Sequence, residues 1–204
     1  MEYIAWFILL FLGVRTFISL VNLLSKPWLE DEQLEKQPMI SVLIPARNEE
    51  RSIGALLSDL SRQDYPQFEV LVYDDQSDDK TPDIVRQFSR DDERFRYIPG
   101  QSLPEGWNGK NHACYQLARE ASGDYLLFLD ADVRTGPTLL TMGVAYLQKK
   151  SLHLLSIFPK QEIRSFGERI TVPVMNWILV SLLPLPLVRM MKFPSLAAAN
   201  GQFM

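Results

Sequence analysis

Short apolar runs alternate with segments of helical periodicity through the middle of this chain, and this alternation limits its possible folds more than any other feature. Four runs predict strands: Met39–Ala46, Phe68–Tyr73, Phe95–Ile98 and Tyr125–Leu129. The first and last carry apolar residues on both faces, as buried parallel strands do. The series therefore predicts an α/β fold with an open, mostly parallel sheet flanked by helices and joined by right-handed crossovers.

The segments between these runs have the spacing of amphipathic helices. Apolar residues at positions i, i+3, i+4 and i+7 predict helices at Ile53–Leu60 and Cys114–Ala121. Thr81-Pro82 and Gly136-Pro137 are typical helix starts. A last apolar run, Leu152–Phe158, predicts a further strand.

The amino-terminal segment Tyr3–Leu24 is long and apolar enough to cross a bilayer, because 22 residues rise by about 33 Å in a helix. Arg15 costs about 2.5–3.5 kcal/mol on insertion, and the fourteen Leu, Ile, Phe and Val side chains return roughly 4–8 kcal/mol. A cleaved signal peptide is the alternative, but the segment lacks a basic leading region and a small-residue cleavage site. We predict a membrane anchor over residues 1–25 and a charged linker over residues 26–37.

A second apolar segment, Ile170–Val188, carries no charged residue. Pro173, Pro184 and Pro186 leave about ten residues of unbroken helix, which is too short to cross a bilayer. Two interpretations stay open: a helix lying at the membrane interface, or an apolar insert packed on the domain. Flanking arginines and Trp177 inside the segment favour a membrane-interface segment over residues 170–191.

Composition excludes several classes of function. The net charge of −4 argues against a nucleic-acid-binding protein, which needs a basic face. A single cysteine, Cys114, excludes an intramolecular disulfide and a cysteine-rich zinc site, and two histidines argue against a histidine metal cluster. The chemistry must therefore come from carboxylates, lysine and backbone groups.

Acidic residues directly follow the predicted strands. They are Asp74, Asp75, Asp78, Asp79, Asp130 and Asp132. Ligands of open parallel sheets bind beyond the carboxyl ends of the strands, and carboxylates gathered there repel each other unless a cation joins them. Asp78 and Asp79 suit turn and helix-cap positions. For Asp130 and Asp132 we predict binding of Mg²⁺ or Mn²⁺.

Four segments, VLIPARNEE, VYDDQSDD, GWNGKNHACYQLA and LLFLDADV, resemble the successive motifs of family 2 glycosyltransferases with the GT-A fold. The resemblance covers about residues 38–204, which we take as one GT-A nucleotide-sugar-binding domain. The third segment and the apolar amino terminus are most similar to membrane-bound members that glycosylate lipids, including those of carotenoid and hopanoid pathways. The resemblance implies metal-dependent, inverting transfer of a sugar from a nucleoside-diphosphate sugar, above all a UDP-sugar. The implied acceptor is a lipid, or a molecule of carotenoid or hopanoid type.

The resemblance also implies which residues bind the nucleoside of the donor. The backbone of Pro45 and Ala46 and the side chain of Glu49 would border the base and ribose. Asp75 would accept a hydrogen bond from the imide N–H of the base, while Asp74 would support the loop.

On the phosphate side, the resemblance implies that Asp130 and Asp132 hold the metal ion and that Asp130 also contacts the donor. Lys110 precedes a helix and would meet the diphosphate, although its position without the motif favours a solvated surface lysine. His112 is either a donor contact or a structural histidine. Cys114 falls on the apolar face of its helix and is predicted to be a core residue.

The resemblance implies a general base in an acidic motif downstream of Asp132, where only Glu162 and Glu168 follow and neither lies in such a motif. We therefore identify no catalytic base, and expect it beyond Met204 of a truncated product that retains the donor half-site. Because nucleotide sugars are cytoplasmic, we expect a single-pass protein of the cell membrane whose domain faces the cytoplasm.

Two other functions stay open at this point. A sugar-nucleotide pyrophosphorylase has a related fold, but the PARNEE segment lacks the glycine-rich, basic phosphate loop of that class. The other alternative is a non-catalytic, membrane-tethered fragment or scaffold that binds nucleotide sugars.

Overall fold

The computed structural model describes residues 2–25, 34–157, 160–161, 163 and 165–190. These residues fall into two compact units, one built from residues 34–157 and the other from residues 2–25 and 160–190. The helices are α1 (Glu2–Leu24), α2 (Ile53–Ser61), α3 (Thr81–Asp91), α4 (Gly109–Glu120), α5 (Leu139–Lys149), α6 (Phe166–Leu182) and α7 (Leu185–Met190). The strands are β1 (Ile40–Ala46), β2 (Phe68–Asp74), β3 (Phe95–Pro99) and β4 (Tyr125–Phe128).

The four strands form one parallel sheet in the order β3-β2-β1-β4. Ile40 of β1 is in register with Phe68 of β2 on one side and with Tyr125 of β4 on the other. The four predicted strands and the parallel α/β architecture are therefore confirmed, with bounds that differ by one residue at one end of each strand.

Helices cover both faces of this sheet, which explains why β1 and β2 are apolar on both sides. On one face, Val42 and Ile44 of β1 pack with the apolar side chains of α2, α3 and α5. On the other face, Leu43 and Leu71 pack with Leu117 of α4. The alternating side chains of one strand thus enter two different cores.

The predicted strand at Leu152–Phe158 is wrong over its described part, because residues 152–157 form no strand, and Phe158 lies outside the described residues. After α5 the backbone turns through Ser151 with a positive φ of 48°. The run then lines an apolar cavity of about 340 Å³ together with β4 and α5. An apolar run reports burial, whereas a strand also needs a neighbouring backbone with which to form hydrogen bonds.

The second unit consists of α1, α6 and α7. α1 is the one helix among the described residues that is long and apolar enough to cross a membrane, a property that signal sequences share. α6 runs for 17 residues and continues through Pro173. The expectation that the prolines leave only about ten residues of unbroken helix is therefore wrong: proline removes one backbone hydrogen bond, and in α6 the chain tolerates that loss until the break after Leu182.

Polar side chains of α1 are paired with α6 and α7 rather than left in an apolar surface. Asn22 is 2% exposed, and its amide donates to the carbonyls of Val180 and Leu183 at 2.7 Å each. Its Oδ1 accepts from the backbone N–H of Leu185 at 2.8 Å. Asn22 thereby satisfies backbone groups that the break between α6 and α7 leaves without helical partners.

We expect Asn22→Leu to open the break between α6 and α7 locally. Loss of the buried side-chain partner should cost about 1–3 kcal/mol, so the amide of Leu185 should exchange with deuterium about 5- to 150-fold faster. Hydrogen–deuterium exchange of the full chain in detergent, followed in a peptide that covers residues 183–188, measures this. Thr16→Leu is the control, because Thr16 bonds only to Leu12 of its own helix among the described contacts. Equal exchange in both variants would contradict the assignment.

Candidate functional site

The strand order reverses at β1, because β2 lies on one side of it and β4 on the other. In open parallel sheets, ligands bind at such a reversal, in the crevice beyond the carboxyl ends of the strands. The residues that follow β1, β2 and β4 at this edge include Arg47, Asp75 and Asp130. This edge therefore contains Asp75 and Asp130, which the sequence analysis selected for chemistry, together with Arg47.

Hydrogen bonds join the loop after β1 to the loop after β2. The backbone N–H of Asn48 donates to Ser77 Oγ, and the N–H of Asp78 donates to Asn48 Oδ1, each at 2.9 Å. Asn48 and Gln76 both have φ of 56°, a left-handed conformation that asparagine tolerates better than most residues. The two loops thus fix each other.

Ala46 and Glu49, which we predicted to border the nucleoside, are held by these same two loops. The carbonyl of Ala46 accepts from the N–H of Asp75 at 2.8 Å. The N–H of Glu49 donates to Thr81 Oγ1 at 2.8 Å, and its carboxylate accepts from Ser52 Oγ at 2.6 Å. The half-buried Pro45 completes the end of β1.

Asp79 forms the turn that leads into α3, as its position predicts. Its carboxylate accepts from the N–H groups of Thr81 at 2.9 Å and Glu50 at 3.0 Å. Desolvation alone would raise the pKa of Asp79, but the hydrogen bonds from Thr81 and Glu50 outweigh it and lower the pKa. Thr81 itself is the first residue of α3, one position later than its predicted role as the cap.

Asp75 lies between Arg47 and the first turn of α4. Its Oδ2 is 3.6 Å from Arg47 Nη1, and a Cβ atom on Gly109 would lie 2.9 Å from the same oxygen. Glycine at position 109 therefore lets the carboxylate approach the amino terminus of a helix, where the backbone dipole favours negative charge.

Lys110 joins α4 to the end of β4. Its Nζ donates to Asp130 Oδ1 at 2.5 Å, with the lysine side chain 52% exposed and the aspartate side chain 22% exposed. Asn108 caps the helix by accepting from the N–H of Lys110 at 3.1 Å. The first turn of α4 thus brings together two residues that we predicted from separate motifs, Asp75 and Asp130.

Asp132 is exposed two residues beyond Asp130, and the intervening Ala131 is 4% exposed and packs in the main core. Among the residues that the structure describes, no three His, Cys, Asp or Glu side chains converge on one point. Asp130 and Asp132 therefore offer two carboxylates of the hard oxygen type that Mg²⁺ and Mn²⁺ accept alongside phosphate oxygens. The ammonium of Lys110 against Asp130 shows that this carboxylate is placed to pair with a cation.

Asp74 is 4% exposed and faces away from solvent. Its Oδ2 accepts from Tyr97 Oη at 3.1 Å, and its Oδ1 has no hydrogen-bond partner within the described part of the chain. Burial and the hydrogen bond to this carboxylate raise the pKa of Tyr97. The carbonyl of Asp74 accepts from Gly100 at 2.8 Å. These contacts are those of a residue that supports the loop.

His112 is 3% exposed and packs inside the domain. Its ring is edge-on to Tyr73 and Trp107, with centroids 6.2 and 5.6 Å away. This packing favours the structural alternative for His112. Cys114 is half-buried, and burial raises the pKa of its thiol, so the thiol is not activated as a nucleophile.

The sequence pattern that defines glycosyl transferase family 2 matches residues 41–176, which include β2, β4, the first turn of α4 and all of β1 except Ile40. The chain belongs to glycosyl transferase family 2.

Two curated relatives are similar in sequence to part of this chain. The 4,4'-diaponeurosporenoate glycosyltransferase of Staphylococcus haemolyticus is 36% identical over 127 residues, covering 61% of this chain and 33% of the relative. The GalNAc(5)-diNAcBac-PP-undecaprenol beta-1,3-glucosyltransferase of Campylobacter jejuni is 34% identical over 115 residues, covering 56% of this chain and 35% of the relative. This chain thus spans about a third of the length of the curated relatives it matches.

Among solved structures, the mannosyltransferase PcManGT from Pyrobaculum calidifontis, in complex with GDP-Man and Mn²⁺, superposes with a TM-score of 0.67. It is 21% identical, and the match covers 95% of this chain and 52% of that one. The likeness shows the fold: the parallel sheet with flanking helices is of the GT-A type.

Three residues of this glycosyltransferase domain were not selected by the sequence analysis. Arg47 contacts Asp75, while Asp59 on α2 and Gln63 just beyond its end bind the loop that follows Asp132. A signal for Asp59 and Gln63 exists in the sequence. Asp59 lies on the apolar face of α2 with Leu56 and Leu60, and Gln63 continues the same spacing past the helix end, so a buried carboxylate and a buried amide must find partners there.

Proposed function

We propose that this chain binds a nucleoside-diphosphate sugar with a divalent cation and transfers the sugar, with inversion, to a lipid-type acceptor. The observation that carries the proposal is the first turn of α4, which places Gly109 against Asp75 and Lys110 against Asp130. In this proposal Asp75, which binds the base, lies against the start of α4, and Lys110 in the same helix turn supplies the cation for the phosphates. The relatives act on a carotenoid acid and an undecaprenol-linked glycan by name, which supports a lipid-type acceptor.

In this proposal the two loops after β1 and β2 bind the nucleoside. Pro45, Ala46 and Glu49 border the base and ribose, and Asp75 accepts a hydrogen bond from an N–H on the edge of the base. Uracil carries such a donor in its imide and guanine carries one on its pyrimidine ring, so a UDP-sugar is the first donor to test and a GDP-sugar the second.

In the proposed reaction, Lys110 would neutralise the negative charge of the diphosphate together with a metal ion held by Asp130 and Asp132. Asp130 and Asp132 would hold Mg²⁺ or Mn²⁺, which supplies Lewis-acid stabilisation of the leaving diphosphate when bound. Lys110 neutralises negative charge on the phosphate oxygens as the bond from the anomeric carbon to the diphosphate breaks. The acceptor oxygen attacks the opposite face of that carbon, and its proton passes to a base unless the acceptor is already a carboxylate.

We further propose that α1 anchors the protein in the cell membrane with the sheet domain in the cytoplasm, where nucleotide sugars are found. Its length of 23 residues and its exposed apolar side chains fit a hydrocarbon core. α6 exposes Phe166, Ile170 and Trp177 among other apolar side chains. This exposure suits the membrane-interface segment proposed for residues 170–191.

Isothermal titration calorimetry on the full chain in detergent micelles tests the donor site. We expect UDP with Mn²⁺ to bind with a Kd between about 1 μM and 1 mM, the range typical of enzyme substrates, and UDP with EDTA to bind more weakly. Tighter binding of GDP than of UDP would favour a GDP-sugar over a UDP-sugar as the donor. Absence of heat with every nucleoside diphosphate would overturn the enzymatic proposal in favour of a scaffold. Exchange of pyrophosphate into a nucleoside triphosphate would favour the pyrophosphorylase.

A further inference from the structure

The loop that follows Asp132 is bound by two side chains, Asp59 on α2 and Gln63 just beyond the end of α2, which we call the α2 clamp. Asp59 accepts from Arg134 Nε at 2.6 Å, from Arg134 Nη2 at 3.0 Å and from the N–H of Thr135 at 3.2 Å. Gln63 donates to the carbonyl of Gly136 at 2.6 Å and accepts from the N–H of Leu140 at 3.2 Å. The clamp therefore binds both ends of the segment that joins Asp132 to α5.

The two side chains of the α2 clamp are buried, so the loss of their hydrogen-bond partners is costly. Asp59 is 4% exposed and Gln63 is 8% exposed. The pKa of Asp59 is lowered, chiefly by the hydrogen bond from Arg134, so the carboxylate is charged at neutral pH. Bidentate carboxylate–guanidinium pairs fix geometry as well as supplying energy, and a buried charge is stable only with such partners.

Asp132 lies between two fixed points of the backbone. On one side, Ala131 is 4% exposed in the main core. On the other, Arg134 and Thr135 are bound to Asp59. The side chain of Asp132 is exposed, so the direction in which its carboxylate points depends on how these neighbours are held.

We propose that Asp59 and Gln63 are positioning residues for the transfer reaction, which orient Asp132 toward the divalent cation and diphosphate of the donor. The proposal rests on the proposed function and concerns one residue on α2 and one just beyond its end, neither of which is assigned a contact with the donor. Groups that orient a metal ligand from behind typically change metal affinity by about 10–100-fold when they are replaced.

The test compares affinity for UDP in Mn²⁺ with affinity for UDP in EDTA, measured by calorimetry on the full chain in detergent. The ratio of the two affinities reports orientation of Asp132 separately from the folding of the domain. We expect Asp59→Asn to lower this ratio about tenfold, and Asp59→Glu, which keeps the charge, to recover part of it. Gln63→Met, which keeps the length but loses both hydrogen bonds, should lower the ratio in the same direction if Asp59→Asn does not fold.

Asp92→Asn is the matched control. Asp92 pairs with Arg94 in the same bidentate way, at 3.0 Å to Nε and 2.6 Å to Nη2, but it precedes β3 at the opposite edge of the sheet. It should lower the thermal midpoint without changing the affinity ratio. Arg62→Ala removes the remaining donor to Asp59, at 2.7 Å, and leaves the loop contacts in place, so it should also keep the ratio.

Suppose that wild-type protein binds UDP in a Mn²⁺-dependent way, and that the ratio of UDP affinities in Mn²⁺ and in EDTA is unchanged in Asp59→Asn and Gln63→Met. This result would overturn the positioning role alone. Wild-type protein that binds no nucleoside diphosphate would overturn the proposed function and this inference with it. The two failures are therefore distinguished by the wild-type titration.

Discussion

Asp132→Asn is expected to abolish the Mn²⁺-dependent part of nucleoside-diphosphate binding. The substitution keeps the size of an exposed side chain and removes one of the two carboxylates that we assign to the cation. Residues that merely orient a metal ligand are worth about 10–100-fold in affinity, so loss of a ligand should exceed about 100-fold. Calorimetry with UDP in Mn²⁺ and in EDTA measures the effect. The affinity in EDTA should change by less than about twofold, because Asp75 and the loops of β1 and β2 are untouched.

Asp91→Asn provides the control for charge alone, because Asp91 is exposed at the end of α3. Thermal midpoints of wild type and both variants should agree, since an exposed aspartate contributes little to stability. Mn²⁺-dependent binding that survives in Asp132→Asn, or that falls equally in Asp91→Asn, would show that the cation binds elsewhere.

The second large effect is expected from Lys110→Ala, which should strengthen the binding of Mn²⁺ alone and weaken the binding of UDP. Lys110 Nζ lies 2.5 Å from Asp130 Oδ1, so the lysine competes with a metal ion for that carboxylate in the unliganded protein. Removal of the ammonium should strengthen binding of Mn²⁺ alone by about two- to fivefold, since the pair is partly exposed. The same removal should weaken UDP binding in saturating Mn²⁺ by about tenfold or more, because a charged hydrogen bond to phosphate is lost.

Mn²⁺ titrations followed by electron paramagnetic resonance give the first affinity, and calorimetry with UDP gives the second. Lys110→Arg should lie close to wild type for UDP because it keeps a cation at the position, although its planar group differs from an ammonium. If both affinities fall together in Lys110→Ala, Lys110 supports the fold of the α4 start and does not exchange between Asp130 and the diphosphate.

Local signals predicted the elements of the sheet domain well. The apolar run Met39–Ala46 predicts a buried strand because apolar residues on both faces are typical of strands buried within a parallel sheet. Ile53–Leu60 predicts a helix through its periodicity, and the structure confirms α2. The same reasoning was wrong for residues 152–157 and for Pro173, because strand pairing and tolerance of a lost hydrogen bond depend on neighbours distant in sequence.

In the candidate site, too, the sequence predicted individual residues but not the pairings between them. Asp75, Asp130 and Asp132 could be selected from sequence because each follows a predicted strand. The pairing of Lys110 with Asp130, across 20 positions, and of Arg134 with Asp59, across 75, could not be predicted from local patterns. Each pairing depends on where α4 and α2 lie on the two faces of the sheet.

The sequence by itself determined the strand and helix segments, the carboxylates at the carboxyl edge and the likeness to glycosyl transferase family 2, because these follow from hydrophobic periodicity and short motifs. Only the tertiary structure decided which of these groups meet. The order β3-β2-β1-β4 places the ends of β1 and β4 side by side, the start of α4 brings Lys110 to Asp130, and α2 binds the loop after Asp132. Hydrogen bonds and ion pairs require distances of a few ångströms, and only the packing of whole elements sets such distances between residues far apart in sequence.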